Sequence, residues 1–94
     1  MSSTPPLSTH ATLETDKPVV LCFSGLDPTG GAGIQADIET LASLGCHTAP
    51  VITCLTVQDT QDVYEIQPVD PNFLVSQARA ILEDMSVNVI KIGL

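Results

Sequence analysis

Apolar and polar positions along this chain fall into blocks whose spacing predicts six elements. Val19 to Phe23 is an unbroken apolar run, the pattern of a strand covered on both faces. From Ile34 to Leu44 the residues Ile34, Ile38, Leu41 and Ala42 recur at helical spacing, with Gln35, Glu39 and Ser43 on other faces. Gly45 stands where such a helix should stop. Val51 to Val57 is β-branched and apolar, a second strand with Pro50 expected at its start, where a missing N–H does least harm. Asp59 to Asp62 is a polar loop, and Val63 to Ile66 a short strand. Asp70 then caps a second helix with Pro71 in its first turn, and its apolar stripe is Leu74, Ala78, Ile81, Leu82 and Met85. Val87 to Ile92 is the last strand.

The order strand, helix, strand, short strand, helix, strand predicts an α/β fold: βαβ units forming a parallel sheet with covering helices. Residues 1–17, rich in Ser, Thr and Pro, are expected to be a disordered leader, which leaves 18–94 as the folded part. Ile90 to Leu94 resembles a strand reaching its carboxyl end, where an α/β sheet places a functional loop. So short a sheet also leaves apolar faces uncovered, and the expectation is a truncated domain.

Composition narrows the partners. Hydrophobic residues make up 44% of the 94 residues, enough for a packed core. The net charge is −8 and only three residues, Lys17, Arg79 and Lys91, are basic, which argues against nucleic acid and anionic membrane surfaces as partners. No apolar run approaches the ~20 residues of a membrane span and no secretory signal is visible, so a cytoplasmic location is expected by exclusion. Cys22, Cys46 and Cys54 are odd in number and lack a C-x-x-C pair. Neither disulfides nor zinc is expected, and Cys22 and Cys54 read as buried thiols inside strands.

The chemistry concentrates in Ser24-Gly-Leu-Asp-Pro-Thr-Gly-Gly-Ala-Gly-Ile-Gln-Ala-Asp37, which joins the first strand to the first helix. Strand, glycine-rich turn and helix are the usual frame of a small-molecule site at a strand's carboxyl end. A P-loop reading fails, because Gly31 and Ala32 stand where the Lys and hydroxyl residue belong. A dinucleotide pattern is met at Gly31, Gly33 and Ala36. However, Gly25 to Gly30 intervenes after the strand, and the expected acid at the end of the second strand comes late, at Asp59.

The same segment resembles the opening motif of the hydroxymethylpyrimidine/phosphomethylpyrimidine kinases of thiamine biosynthesis, within the ribokinase-like superfamily. Val51-Ile-Thr-Cys-Leu-Thr-Val-Gln-Asp-Thr60 resembles that family's second-strand segment, and Ile90-Lys-Ile-Gly-Leu94 the strand before its next substrate loop. The resemblance covers residues 18–94 and implies a partial ribokinase-like fold. It also implies ATP-dependent phosphorylation of 4-amino-5-hydroxymethyl-2-methylpyrimidine and its monophosphate. It places Gly25, Asp37 and Gln58 at the pyrimidine, the backbone of Thr56 facing the ligand, and Leu94 where the family has a pocket-lining Met. Gln58 has a rationale of its own, since a planar amide can pair with the amino and ring-nitrogen edge of an aminopyrimidine. Asp27, followed by Pro28, reads as the start of a turn, and Gly30, Gly31 and Gly33 as loop-shaping. His47 is read as non-catalytic.

Phosphoryl transfer needs a nucleotide site, Mg²⁺ and usually a base. In the family these come from a carboxyl-terminal Gly-Thr-Gly-Cys-type motif that this sequence lacks. The resemblance thus implies ATP and Mg²⁺ for the parent enzyme, bound by groups beyond Leu94, with no catalytic residue in this chain. It leaves room for a homo-oligomer in the full-length enzyme. The alternatives are a pyridoxal-type vitamin kinase of the same fold and a short, non-catalytic ligand-binding chain.

Overall fold

The computed structural model describes residues 17–93. All but one residue of the expected leader, and Leu94, lie outside the described residues. Strand β1 (Val19–Leu26) leads to helix α1 (Gly33–Ser43), strand β2 (His47–Gln58), strand β3 (Val63–Pro68), helix α2 (Pro71–Asp84) and strand β4 (Val89–Ile92). The four strands form one sheet in the order β3-β2-β1-β4. β1 pairs in parallel with both β2 and β4, as the alternation of elements predicts. β3 is the exception, antiparallel to β2. Only a four-residue loop, Asp59 to Asp62, separates them, too short for the crossover a parallel partner requires.

Alternation along β1 distributes the core. Val19 and Leu21 point to one face and join Ala49 and Val51 of β2, where Leu74 and Ile81 of α2 and Met85 at its exit pack on them. Val20 and Cys22 point to the other face and meet Ile34, Leu41 and Cys46 from α1 and its exit. β1 is therefore covered on both sides, which its unbroken apolar run requires. Both stripes are narrower than the periodicity suggests: Ile38 and Leu82 are exposed.

Helix ends follow their local chemistry. α1 closes with Gly45 at φ +78°, its N–H donating to Ala42 O and that of Cys46 to Leu41 O, the paired bonds of a Schellman cap. α2 starts on the Asp70 carboxylate, which accepts from Phe73 N at 3.2 Å, with Pro71 at its first position.

Strand boundaries differ from the sequence reading: β1 runs on to Leu26 and β3 to Pro68, and the starts of β2 and β4 move. β2 begins at His47, so Pro50 lies inside the strand opposite Cys22. His47 N–H donates to Pro18 O at 2.8 Å, so alternation turns the Pro50 nitrogen away from β1, and β3 pairs only from Cys54 onward. Pro50 thus occupies an edge stretch and removes no ladder bond. β4 begins at Val89, because Asn88 ends the approach. Its side chain accepts from Val19 N at 2.8 Å and its own N–H donates to Val19 O at 2.9 Å.

Candidate functional site

The carboxyl ends of the three parallel strands form one rim, centred on Ser24-Gly25-Leu26 of β1. Both ladders into β2 slip here, between Ser24 and Leu26 on the β1 side and between Val57 and Gln58 on the β3 side. Such irregularities re-aim side chains at the end of a sheet.

The turn that leaves β1 is organised by Asp27. Its carbonyl accepts from Gly30 N at 2.9 Å, closing the turn that Asp27-Pro28 announces. Its carboxylate Oδ1 accepts from Thr29 N and Thr29 Oγ1, each at 2.8 Å. Those bonds, the backbone one first, hold the Asp27 carboxyl below its ordinary range. Gly31 N in turn donates to Thr29 Oγ1 at 3.3 Å. The amide groups of this loop are spent on its own residues rather than aimed outward, as a phosphate cradle would need.

Gly33 opens α1 at φ +64°, and a Cβ there would overlap the Gly25 carbonyl oxygen. Glycine at 33 lets the helix start against β1, where Gly33 also forms a bridge with Leu26. Gly25 is closely fitted too: a Cβ would stand 2.9 Å from Cys54 Sγ. Gly30 also has a positive φ, whereas a Cβ on Gly31 would make only ordinary contacts, the nearest with Thr29 Oγ1 at 3.6 Å.

Asp37 lies one turn into α1, and both its oxygens are engaged. Oδ2 accepts from Ser24 Oγ at 2.6 Å and Oδ1 from Lys91 Nζ at 2.9 Å. Burial pushes its carboxyl up, but the Ser24 and Lys91 hydrogen bonds and the lysine charge outweigh it, and the carboxyl sits below its ordinary range. The hydrogen bond to Asp37 raises Lys91 correspondingly. This triad ties α1 to the ends of β1 and β4. Neither Ser24 nor Lys91 was singled out from the sequence. The signal was there: one lysine, among three basic residues, interrupts an apolar run at Ile90-Lys-Ile.

Gln58 ends β2. Its Oε1 stands 2.6 Å from Thr56 Oγ1, which is also 3.0 Å from Leu26 O. The side chain of Thr56 therefore links the ends of β1 and β2. Asp59, next in line, holds the hairpin: Oδ1 accepts from Gln61 N and Asp62 N, and Oδ2 from Tyr64 Oη at 2.7 Å. Asp59 is thus committed to its own loop and does not act as the ribose-binding acid of a dinucleotide site.

The three cysteines are free. Cys22 is fully buried, and burial first, then the nearby Asp37 charge, pushes its thiol up, as befits an inert core group. Cys54 is only half-buried, less enclosed than its strand pattern suggests. Among the described residues no cluster of three or more His, Cys, Asp or Glu side chains is placed to hold a metal ion.

A glycine-rich turn at the carboxyl rim of a parallel sheet, with polar side chains converging from β1, β2 and α1, is the architecture of a small-molecule enzyme site. Its relatives are ribokinase-like vitamin kinases. The phosphomethylpyrimidine kinase family model matches residues 27–94, and the chain belongs to that family. It is 39% identical over 74 residues to the hydroxymethylpyrimidine/phosphomethylpyrimidine kinase of Escherichia coli, covering 79% of this chain and 28% of that enzyme. The crystal structure of phosphomethylpyrimidine kinase from Clostridium difficile superposes with a TM-score of 0.78 at 36% identity, over 83% of this chain and 34% of that one. Pyridoxal kinase from Bacillus subtilis, solved as an ADP complex, gives 0.75 at 26% identity, over 84% and 30%. The chain thus spans about a third or less of the kinases it matches.

Proposed function

We propose that this chain is the substrate-side portion of a kinase that phosphorylates 4-amino-5-hydroxymethyl-2-methylpyrimidine and its monophosphate with ATP in thiamine biosynthesis. The observation that supports this reading best is Gln58, a planar amide at the carboxyl end of β2, linked through Thr56 to the Leu26 carbonyl at the end of β1. One acceptor and one donor side by side match the amino group and ring nitrogen of an aminopyrimidine. Gly25 brings backbone close to the ligand and Thr56 borders it; Leu94, which the resemblance places at the pocket, lies outside the described residues. Asp37 acts through the triad, setting the shape of the rim. The turn of Asp27, Gly30, Gly31 and Gly33 forms the floor.

The described residues do not fit a nucleotide or Mg²⁺. The turn amides are self-satisfied, Lys91 is committed to Asp37, and no acidic cluster is formed. In this reading the groups that bind ATP and Mg²⁺, and the base, belong to the remainder of the kinase domain. A cytoplasmic location is part of the same proposal. No described helix is long and apolar enough to cross a membrane.

The test is a turnover assay with ATP, Mg²⁺ and the hydroxymethylpyrimidine. The 94-residue chain should form no product above blank. The same residues joined to the rest of the kinase domain should form the mono- and diphosphate. Turnover by the short chain would defeat this assignment of roles. The likeness to pyridoxal kinase supports a second reading, a pyridoxal-type substrate. A pyridine ring lacks the aminopyrimidine edge, so competition between the two substrates on the full domain decides, with the pyrimidine expected to win.

A further inference from the structure

The contacts of Thr56 carry information about Gln58 that the resemblance alone does not. Thr56 Oγ1 is within hydrogen-bond distance of two groups, Leu26 O at 3.0 Å and Gln58 Oε1 at 2.6 Å. A hydroxyl has a single proton, and a backbone carbonyl can only accept. With two acceptors facing one proton, one contact goes unserved. A half-turn of the Gln58 amide about its last bond exchanges Oε1 and Nε2 without changing the shape of the side chain. Every group then has a matching partner: Gln58 Nε2–H donates to Thr56 Oγ1, and Thr56 Oγ1–H donates to Leu26 O.

We propose that Thr56 is a positioning residue for substrate recognition. Its hydroxyl relays between the Leu26 carbonyl and the Gln58 amide, and so fixes the amide with its nitrogen toward β1 and its oxygen outward. The inference rests on the substrate-reading role of Gln58 proposed above and specifies it. The N–H anti to Oε1 serves Thr56, which leaves the edge carrying Oε1 and the other N–H free. An aminopyrimidine can then lie in only one register, with its exocyclic amino group at Oε1 and its ring nitrogen at the remaining N–H. The alternative, a freely rotating amide, would accept the ring in either sense and would pay part of its binding in lost rotamer freedom. The relay reaches across the strand pair at the point where the β1–β2 ladder slips, and so couples that irregularity to ligand orientation.

The experiment is a double-mutant cycle in the full kinase domain carrying these residues, with KM and kcat measured for the hydroxymethylpyrimidine. Thr56→Val keeps the β-branched shape and removes the hydroxyl. It should raise KM about 3- to 10-fold with kcat within about 2-fold, the signature of lost ground-state positioning. Thr56→Ser restores the hydroxyl and should return KM to within about 2-fold. In a Gln58→Ala background, Thr56→Val should change KM by less than about 2-fold. An equal effect of Thr56→Val with and without Gln58, or no rescue by Ser, overturns the relay while leaving Gln58 as the reader. A Gln58→Ala variant with unchanged KM overturns the substrate role of Gln58 itself. Nuclear Overhauser contacts give a readout free of turnover. A Gln58 side-chain amide proton close to the Thr56 hydroxyl is expected, and its absence in the folded domain would also overturn the proposal.

Discussion

Single residues at the rim divide into those fixed by backbone geometry and those fixed by charge. Gly33 and Gly31 make the contrast. Gly33→Ala must place a Cβ at positive φ and against the Gly25 carbonyl, and should cost about 2–4 kcal/mol in urea denaturation. Gly31→Ala meets nothing closer than 3.6 Å and should stay within about 0.5 kcal/mol. Asp37 makes a pH prediction. Its folded carboxyl is held below the unfolded range, so its contribution is fully present above an ordinary carboxylate pKa of about 4 and is lost as pH falls through the lower folded value. Asp37→Asn should therefore cost up to about 1 kcal/mol at pH 7, a figure moderated by the exposure of Lys91, and that difference should vanish in acid. An unfolding free energy difference that is the same at pH 7 and pH 3 would refute the charge-based account. At this scale the sequence was partly legible. Asp27-Pro28 announced its turn through local chemistry alone, whereas the Ser24–Asp37–Lys91 triad joins residues 13 and 54 positions apart, a separation that no local pattern encodes.

Elements were legible where periodicity and capping agreed. Asp70-Pro71 gave the start of α2 to the residue, and Gly45 the end of α1, because both signals act within one turn. Asp70→Ala should lower stability by about 1 kcal/mol, read as a shift of the denaturation midpoint without a change of slope. The start of β2 was less legible. Proline reads as a boundary, yet Pro50 continues the strand because its nitrogen faces a stretch that β3 has not reached. The direction of β3 also depends on more than its own composition: loop length decides it, and a four-residue connection permits only a hairpin.

Across the whole molecule, the uncovered surface is as informative as the core. Every residue of β3 and β4 is exposed, including Val63, Tyr64, Ile66, Ile90 and Ile92. An apolar groove of about 490 Å³ runs between Phe23 and the Leu74, Val75 and Leu82 side of α2, and neither Asp37 nor Gln58 lines it. Apolar side chains exposed on two edges and one face are the kind of surface that associates with a partner or a further part of the same fold. The chain on its own should consequently associate with rising concentration in sedimentation, and joining it to the remainder of the kinase domain should suppress that association. A monodisperse monomer at high concentration would show that these surfaces need no cover.

The strand order β3-β2-β1-β4 also sets a gradient of backbone opening. Amide hydrogen exchange should be slowest at Leu21 and Cys22, flanked by strands and sealed by both helices, and fastest along β3, which has one neighbour and no cover. Gln58 stands where the protected interior gives way to the labile margin. A ligand engaging it should register as slowed exchange in the Asp59–Asp62 hairpin and the adjoining end of β3, while β1, already closed, barely responds.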